Sequence, residues 1–410
     1  MNSTIKNNQT RIRDFILVYL VIGFSVIPFF SSNTDLLTFL TIILFLYVII
    51  YYKINFDTHL IIILVLLILM YIGQFITLEI NQPNFRSIFG TFIRFLFPFI
   101  VLSIVGSKFL DTFVKVVYIL TIIGLILWGL ENILPSFSNV IHSISLNLKL
   151  DIESNENILI YNTEGHWEYG LIRNAGFAFE GGAYSIILII AIIFNLLMKK
   201  YQLDKQTIIF IIAIITTFST AGYLALGIVF FGLYYTKIKN KLQLILFSIL
   251  FLTFVIYAFT ELDFLEEKIV RQIDIARDPN ATAGRFASAA ADILEWQRNP
   301  IFGVGKSDET RFSIFRYGNQ HRVNGLASFL AIFGVVIFFT YLFLMWNSLK
   351  KINMHYLVTS KFVVFQFFAI IGLAFSQNCL QWSVFITIPY LSMLIKNNKK
   401  YEKKHNLYLP

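Results

Sequence analysis

Charge and cysteine are both scarce in this sequence. Charged residues make up 14% of its 410 residues and hydrophobic residues 57%, with a mean hydropathy of +0.71. A soluble domain of this length carries more charge, so the composition excludes that class and indicates a membrane protein. The single cysteine, Cys379, excludes an intramolecular disulfide. No cysteine and histidine spacing fits a zinc site and no Asp-x-Asp pair occurs, so we expect neither a metal nor a cofactor.

Long apolar runs are abundant instead, and each crossing of the hydrocarbon core takes about 20 residues. They predict an all-α fold class, a polytopic membrane helix bundle of about twelve transmembrane helices in a single integral membrane domain over 1–410. Phe30-Ser31-Ser32 is a poor cleavage site, so we interpret the first run as a retained helix. A polar break at Ser219–Gly222 predicts two short helices joined by a tight turn. The predicted spans are 15–30, 36–52, 59–77, 88–106, 112–134, 183–198, 207–218, 221–236, 242–260, 323–348, 361–376 and 380–395.

The basic residues divide between two faces of this predicted bundle. The net charge of +9 is spread over short clusters between apolar runs, a pattern typical of topology signals and not of nucleic-acid binding. If the amino terminus is cytoplasmic, the lysine-rich linkers and the carboxyl-terminal tail share its side, as the positive-inside rule requires. Two long polar loops, 135–182 and 261–322, then lie outside, and loops of this length are usually functional.

Arginine is distributed differently from lysine. After Arg13, every arginine falls in an outer loop or in the outer part of a predicted helix. The split is accidental if the long outer loops simply escape the positive-inside rule. Otherwise it is functional, because the planar guanidinium holds phosphate oxygens in bidentate geometry. The functional interpretation indicates an anionic ligand such as a lipid-linked pyrophosphate.

Two of these arginines lie in or beside the fourth predicted span. Arg94 is inside the span, where a charge costs roughly 3 kcal/mol unless it faces a cavity or a partner. Arg86 lies eight positions earlier, about 80° away around a helix at about 100° per residue, so both side chains can face one cavity. The alternative is that Arg86 extends to the membrane interface.

The first outer loop ends in a polar segment that runs directly into the sixth predicted helix. Arg173 and Glu180 flank it, and Gly181 and Gly182 follow. The glycines allow a ligand close to the backbone, and the helix amino terminus offers free N–H groups to an anion. The alternative is an ordinary helix start, with Glu180 favouring the helix dipole.

The second outer loop carries a predicted surface helix and a histidine. Residues 285–296, beginning at Arg285, are rich in alanine and predict a helix along the membrane surface or capping the bundle. Asn299–Gly305 stops this helix with proline and two glycines. His321 lies where the loop returns to the membrane, where a histidine can exchange a proton near neutral pH or be an ordinary solvated side chain.

Together these motifs resemble the O-antigen polymerase and O-antigen ligase superfamily of bacterial envelope enzymes over roughly residues 170 to 395. Gly181 stands where the family usually has proline and Thr220 where it usually has arginine, and two residues separate His321 from Asn324. The matching pieces, in family order, are Arg173–Gly182, Thr217–Gly222, Arg285 with Asn299–Gly305, and His321–Asn324 with Gly334 ten residues on.

The resemblance implies a metal-independent glycosyltransferase that acts on undecaprenyl-pyrophosphate-linked oligosaccharides at the periplasmic face of the bacterial inner membrane, with both termini cytoplasmic. In its polymerase members, repeat units are joined while a pyrophosphate leaves. Arg173 and Arg285 would stabilise that leaving group, and His321 or Glu180 would be the base, with His321 favoured. Membrane lipid is an expected partner, a chain-length regulator protein is a further candidate, and nucleic acid is not expected. The predicted substrate-binding residues are Arg94, Arg86, Ser219, Arg322, Asn324, Gly181 and Gly182.

Three alternatives compete with a polymerase. A ligase, which transfers finished glycan to lipid A core, would share the fold and the outer motifs. A lipid-linked oligosaccharide flippase or another transporter would also have about twelve helices, but such proteins usually show internal repeats and charges at the midplane. A peptidoglycan polymerase of the shape, elongation and division type would carry proline-rich segments that this sequence lacks.

Overall fold

A computed structural model describes most of the chain. The described residues are 2–52, 57–79, 84–134, 136–150, 156–165, 167–168, 170–238, scattered positions between 240 and 253, 285–311 and 322–395. The predicted base His321, most of the predicted span 242–260 and the second outer loop before Arg285 lie outside them.

Helices form nearly all of the regular structure. Two short antiparallel hairpins are the exceptions, pairing β1 (Glu156–Asn157) with β2 (Asn162–Thr163) and β3 (Trp167–Glu168) with β4 (Leu171–Ile172). A 3₁₀ turn at Gly106–Lys108 joins the fifth and sixth helices. In chain order the described helices are α1 (Asn2–Val26), α2 (Pro28–Ser31), α3 (Thr34–Tyr51), α4 (Thr58–Thr77), α5 (Phe85–Val105), α6 (Phe109–Ile133), α7 (Phe137–Asn147), α8 (Gly181–Met198), α9 (Lys205–Thr216), α10 (Thr220–Lys237), α11 (Arg285–Trp296), α12 (Asp308–Arg311), α13 (Gly325–His355), α14 (Phe362–Ser376) and α15 (Ser383–Tyr390).

Five helical runs in the described part of the chain are long and apolar enough to cross a membrane, judged by length and composition. The all-α membrane class is therefore confirmed, whereas the number of about twelve crossings stays a prediction. Two further apolar helices, α9 and α14, are shorter, and 242–260 lies mostly outside the described residues. The five runs are Thr34–Tyr51, Thr58–Thr77, Phe85–Ile133, Gly181–Met198 and Gly325–His355.

α8 is the central helix of the bundle. It is buried along almost its whole length and contacts α1, α6, α9, α10 and α14. An apolar sequence on every face permits this, because no polar side needs water. Asn195 is an exception, and its amide donates hydrogen bonds to Asp204 Oδ1 at 2.7 Å and Thr207 Oγ1 at 2.9 Å. Its donors are thereby satisfied inside the bundle.

The helix ends collect at two opposite ends of the bundle. At one end, the Phe179 N–H before α8 donates to the Val26 carbonyl of α1, and the Asn174 N–H donates to the Thr216 carbonyl of α9. At the other, the hydroxyl of Tyr201 after α8 donates to the Thr359 carbonyl before α14. Arg173 and Arg285 lie at the first end, which we call the arginine end; Lys199 and Lys361 lie at the second, the lysine end.

α13 is interrupted by a short loop that enters the bundle. At Gly334 the backbone has φ 74°, which a residue with a Cβ rarely adopts, and the helix breaks there. The segment Asn299–Gly305 fills the break: the Val335 N–H donates to the Pro300 carbonyl, and the Val304 N–H donates to the Ala331 carbonyl. Backbone groups freed by the break are thus satisfied by the loop, as an apolar environment requires.

Candidate functional site

Arg173 is held in place at the arginine end by a buried carboxylate. Its Nη1 lies 2.7 Å from Glu164 Oε1, and its Nε donates to the Thr217 carbonyl at 3.2 Å. The other oxygen of Glu164 accepts the Gly181 N–H at 2.6 Å, so one carboxylate joins the arginine to the start of α8. The guanidinium is fixed by these bonds, and its Nη2 takes part in neither of them.

The glycines that follow Glu180 pack against backbone and side chains that leave little room for a Cβ. A Cβ on Gly181 would lie 2.8 Å from the Thr217 carbonyl oxygen, and one on Gly182 would lie 3.1 Å from Gln377 Nε2. The same Gln377 amide donates a hydrogen bond to Glu180 Oε1. The two glycines therefore let the loop, the α9–α10 turn and the end of α14 meet at one point.

Arg285 completes this group from the start of α11. Its Nε donates to the Ser376 carbonyl at 3.0 Å, at the end of α14. Burial lowers the pKa of Arg285 from its ordinary value; the nearby charge of Glu180 opposes that change and the charge of Arg173 adds to it. Three residues predicted from separate motifs, Arg173, Glu180 and Arg285, are thus brought together as one group, which we call the basic cluster. Two guanidinium groups at one point can hold the oxygens of an anionic ligand.

Two predicted substrate-binding residues act as helix caps. Ser219 Oγ accepts the Gly222 N–H at 3.2 Å and the Ser185 hydroxyl at 3.1 Å, and it starts α10. Asn324 Oδ1 accepts the Ala327 N–H at 2.9 Å and starts α13. Both bonds satisfy otherwise unpaired N–H groups at a helix start. Substrate binding by Ser219 or Asn324 stays a prediction.

Arg322 lies in a buried ionic network beside α11. Its Nη2 donates to Glu295 Oε1 at 2.9 Å, and its Nε lies 3.6 Å from Asp292 Oδ1. Arg311 Nη2 reaches the same Asp292 oxygen at 3.3 Å and the Ser328 hydroxyl at 2.6 Å. Burial raises the pKa of Glu295 to about 7, although the charge of Arg322 opposes the change. The network fastens α11 to the start of α13, directly after the position of His321.

The structure separates the two arginines predicted to face one cavity. Arg86 lies on the exposed surface, where its Nη2 donates to both oxygens of Asp35, at 2.8 Å and 2.7 Å. Its side chain is 78% exposed, which favours the interface alternative. Arg94 is partly buried within α5. Burial and then the positive charge of Arg94 lower the pKa of Lys306.

Several residues of the arginine end carry no signal in the sequence. Glu164 follows a short strand without a motif, and Gln377 is a lone amide at the end of an apolar run. Asp292 and Glu295 occur at a helical spacing that is also typical of a solvated helix face. Only the packing of the loops on the bundle reveals their arginine partners.

Part of the chain matches a known family. Residues 207–329 match the model of a family described as O-antigen ligase. This segment is similar to the members of that family. It includes Ser219, Arg285 and Arg322 and ends within α13. The resemblance to the O-antigen polymerase and ligase superfamily is confirmed.

The matched segment supplies only one side of the basic cluster. Arg173 and Glu180 precede the matched residues, and Arg285 lies within them. Members of the family are glycosyltransferase-like enzymes, either ligases or polymerases. No curated protein matches the chain.

Proposed function

We propose that the chain is a repeat-unit polymerase, a metal-independent glycosyltransferase that joins undecaprenyl-pyrophosphate-linked oligosaccharides at the outer face of the bacterial inner membrane. The observation that carries this proposal is the meeting of Arg173, Glu180 and Arg285 at one end of the bundle. The family match supports the reaction class, because ligases and polymerases both transfer a glycan.

In the proposed reaction, a hydroxyl oxygen of the acceptor sugar attacks the anomeric carbon of the donor sugar. The bond from that carbon to the pyrophosphate oxygen breaks, and the pyrophosphate leaves with the electron pair. Arg173 and Arg285 stabilise the negative charge that develops on the leaving oxygen. Both guanidinium groups are held by backbone carbonyls, so little reorganisation is needed when the charge forms.

The proton of the acceptor hydroxyl goes to a general base. His321 is our first candidate, since its ordinary pKa lies near neutral pH. Glu180 is the second candidate, and it lies within the basic cluster with one oxygen bonded to the Gln377 amide. The bond to Gln377 holds the Glu180 carboxylate in place, so we assign proton transfer to His321 and positioning to Glu180.

Glu164 has a positioning role in this proposal. It neutralises Arg173 before substrate arrives, and its second oxygen fixes the Gly181 N–H at the start of α8. The free edge of the guanidinium then faces the ligand in a fixed orientation.

The test is the glycan banding pattern of cells that lack the gene. We expect lipid A core that carries a single repeat unit, and we expect the wild-type gene to restore long chains. Arg173→Ala, Arg285→Ala and His321→Ala should fail to restore them. Arg86→Ala is the matched control, because its exposed pair with Asp35 lies apart from the basic cluster and surface pairs contribute little.

Two other patterns would overturn the proposal. Loss of all glycan from the core, with long chains remaining on the lipid carrier, would identify a ligase. Single lipid-linked units accumulating on the cytoplasmic face would identify a flippase. The ligase is the closer alternative, since the family model bears that description.

A further inference from the structure

Lys306 is a second cationic centre, separate from the basic cluster. It follows Gly305 in the loop that enters the bundle, and its side chain is partly buried. Its ammonium lies 5.6 Å from the ring centroid of Phe333, beside the break in α13. Burial and then the positive charge of Arg94 lower the pKa of Lys306 well below its ordinary value.

α5 packs against the break in α13 beside Lys306, since the ring centroids of Phe95 and Phe333 lie 6.2 Å apart. Arg94 is the residue before Phe95. It lies nine residues into that helix, about 14 Å along its axis at 1.5 Å per residue. Among the described residues, no carboxylate forms an ion pair with Arg94 or Lys306. Arg311, the other charge near Lys306, is already bound to Asp292. In the described part of the chain, two like charges thus share an apolar region without an anion between them, which is unfavourable unless a ligand supplies one.

A groove leads from the surface to Lys306. One wall is the end of α4, with Tyr71 and Gln74, and the opposite wall is the start of α5, with Asn84 and Ser87. The loop from Val304 to Ser307 closes its inner side. Asn84 Oδ1 accepts the Ser87 N–H at 3.0 Å and caps α5, whose amino terminus adds a positive dipole end to the groove.

The outside of the groove is apolar. On α4, Ile76 is 73% exposed, and on α5, Phe85 is also 73% exposed. A ligand in the groove can therefore place an attached hydrocarbon chain against apolar side chains in the bilayer.

We propose that Lys306 and Arg94 bind the diphosphate of a second polyprenyl-linked substrate, the acceptor, while the basic cluster binds the diphosphate of the donor. This proposal rests on the proposed polymerase function, because only joining two lipid-linked units brings two polyprenyl diphosphates to one chain. The basic cluster and the Lys306 centre correspond to those two head groups. A bound diphosphate would supply the missing counter-charge to Lys306 and Arg94.

The experiment is a titration of the purified full-length protein in detergent with geranylgeranyl diphosphate, followed by calorimetry. Wild type should bind two equivalents. Lys306→Gln and Arg94→Gln should each lose one equivalent or weaken it at least tenfold, and Arg173→Ala should lose the other. Lys199→Gln, which removes one exposed lysine at the lysine end, is the matched control for net charge and should bind two.

Three outcomes would overturn the proposal. Wild type would bind a single equivalent, or Lys306→Gln and Arg94→Gln would keep both. In the third outcome, inorganic pyrophosphate would bind the Lys306 site as tightly as the prenyl compound, and the ligand would then be a free anion instead of a lipid head group. A melting curve for each variant separates loss of binding from loss of folding.

The binding titration and the glycan banding pattern together distinguish the second-site proposal from the polymerase proposal. If binding depends on Lys306 as expected but the gene-deleted strain lacks the single-repeat phenotype, the second site stands and the polymerase function fails. If the strain shows that phenotype but Lys306→Gln binds two equivalents, the polymerase stands and the second site fails.

Discussion

At the scale of single residues, charge compensation differs between the two cationic centres. Arg173 has a resident partner in Glu164, and Arg322 has two in Asp292 and Glu295. Lys306 has none among the described residues. An arginine with a carboxylate partner is stable in an empty site and can orient a ligand. A buried lysine without such a partner is stabilised most when an anion binds.

Replacing Glu164 tests the compensated centre. Glu164→Gln keeps an acceptor for the Gly181 N–H but removes the ionic bond to Arg173, which is worth about 1.5–3 kcal/mol for a charged group. We expect the rate of repeat addition with purified lipid-linked units to fall on the order of tenfold. Glu164→Ala removes both contacts and should be slower still. Equal rates for Glu164→Ala and wild type would refute a positioning role.

The raised pKa of Glu295 predicts that the rate of repeat addition depends on pH. Its pKa is raised to about 7, so the carboxylate is charged above that pH and takes up a proton as the pH falls through it. Protonation weakens the bonds to Arg322 and Arg311, and the rate should drop below pH 7. Glu295→Gln mimics the protonated form, so its rate at pH 8 should resemble that of wild type at pH 6.

Asp292 and His321 are the other titrating groups near this network. The pKa of Asp292 is also raised by burial, with Arg311 and Arg322 opposing the change. If Glu295→Gln keeps the same acidic fall in rate as wild type, another group such as Asp292 or His321 causes the fall, and the pH profile of Asp292→Asn then tests Asp292.

At the scale of elements, the sequence predicts some features well and others not at all. Alanine-rich residues predict α11, and the proline and glycines that follow predict its end; both are confirmed. The Ser219 turn between two short helices is also confirmed. The sequence does not predict the break in α13. Gly334 lies within a long apolar run, and the break depends on a loop from elsewhere in the chain.

The same limit applies to the candidate site. Arg173, Glu180 and Arg285 stand in motifs with recognisable order, so the sequence identifies them. Glu164 and Lys306 are isolated polar residues, and their partners are distant in sequence. Local patterns carry no information on such long-range contacts.

Gly334 tests the importance of the loop that enters the bundle. A Cβ there would lie 2.1 Å from the Ile301 carbonyl oxygen, in a backbone conformation that costs about 1–3 kcal/mol for other residues. Gly334→Ala should lower the melting temperature of the detergent-solubilised protein and weaken diphosphate binding. Gly372→Ala in α14, where a Cβ contacts nothing, is the matched control and should melt at or above wild type. Equal melting temperatures for Gly334→Ala and Gly372→Ala would contradict the tight packing around Gly334.

At the scale of the whole molecule, the orientation of the bundle in the membrane is a prediction from charge. Arginine collects at the end with the candidate site, and lysine at the opposite end. Since Cys379 is fully buried, single introduced cysteines can report which end faces outward.

Ser136→Cys at the arginine end and Lys199→Cys at the lysine end make a matched pair, because both positions are exposed. A membrane-impermeant maleimide should label Ser136→Cys in spheroplasts and label Lys199→Cys only after lysis. The reverse pattern would place the candidate site in the cytoplasm and exclude both polymerase and ligase.

The loop that fills the break in α13 also constrains how the protein is made. Asn299–Gly305 leaves the ribosome before α13 does, so its backbone partners at Ala331 and Ile332 do not yet exist. Until they are synthesised, the loop must stay in water, because lipid offers nothing to its N–H groups. We therefore infer that entry of this loop into the bundle is a late step of biogenesis, after the insertion machinery has released α13.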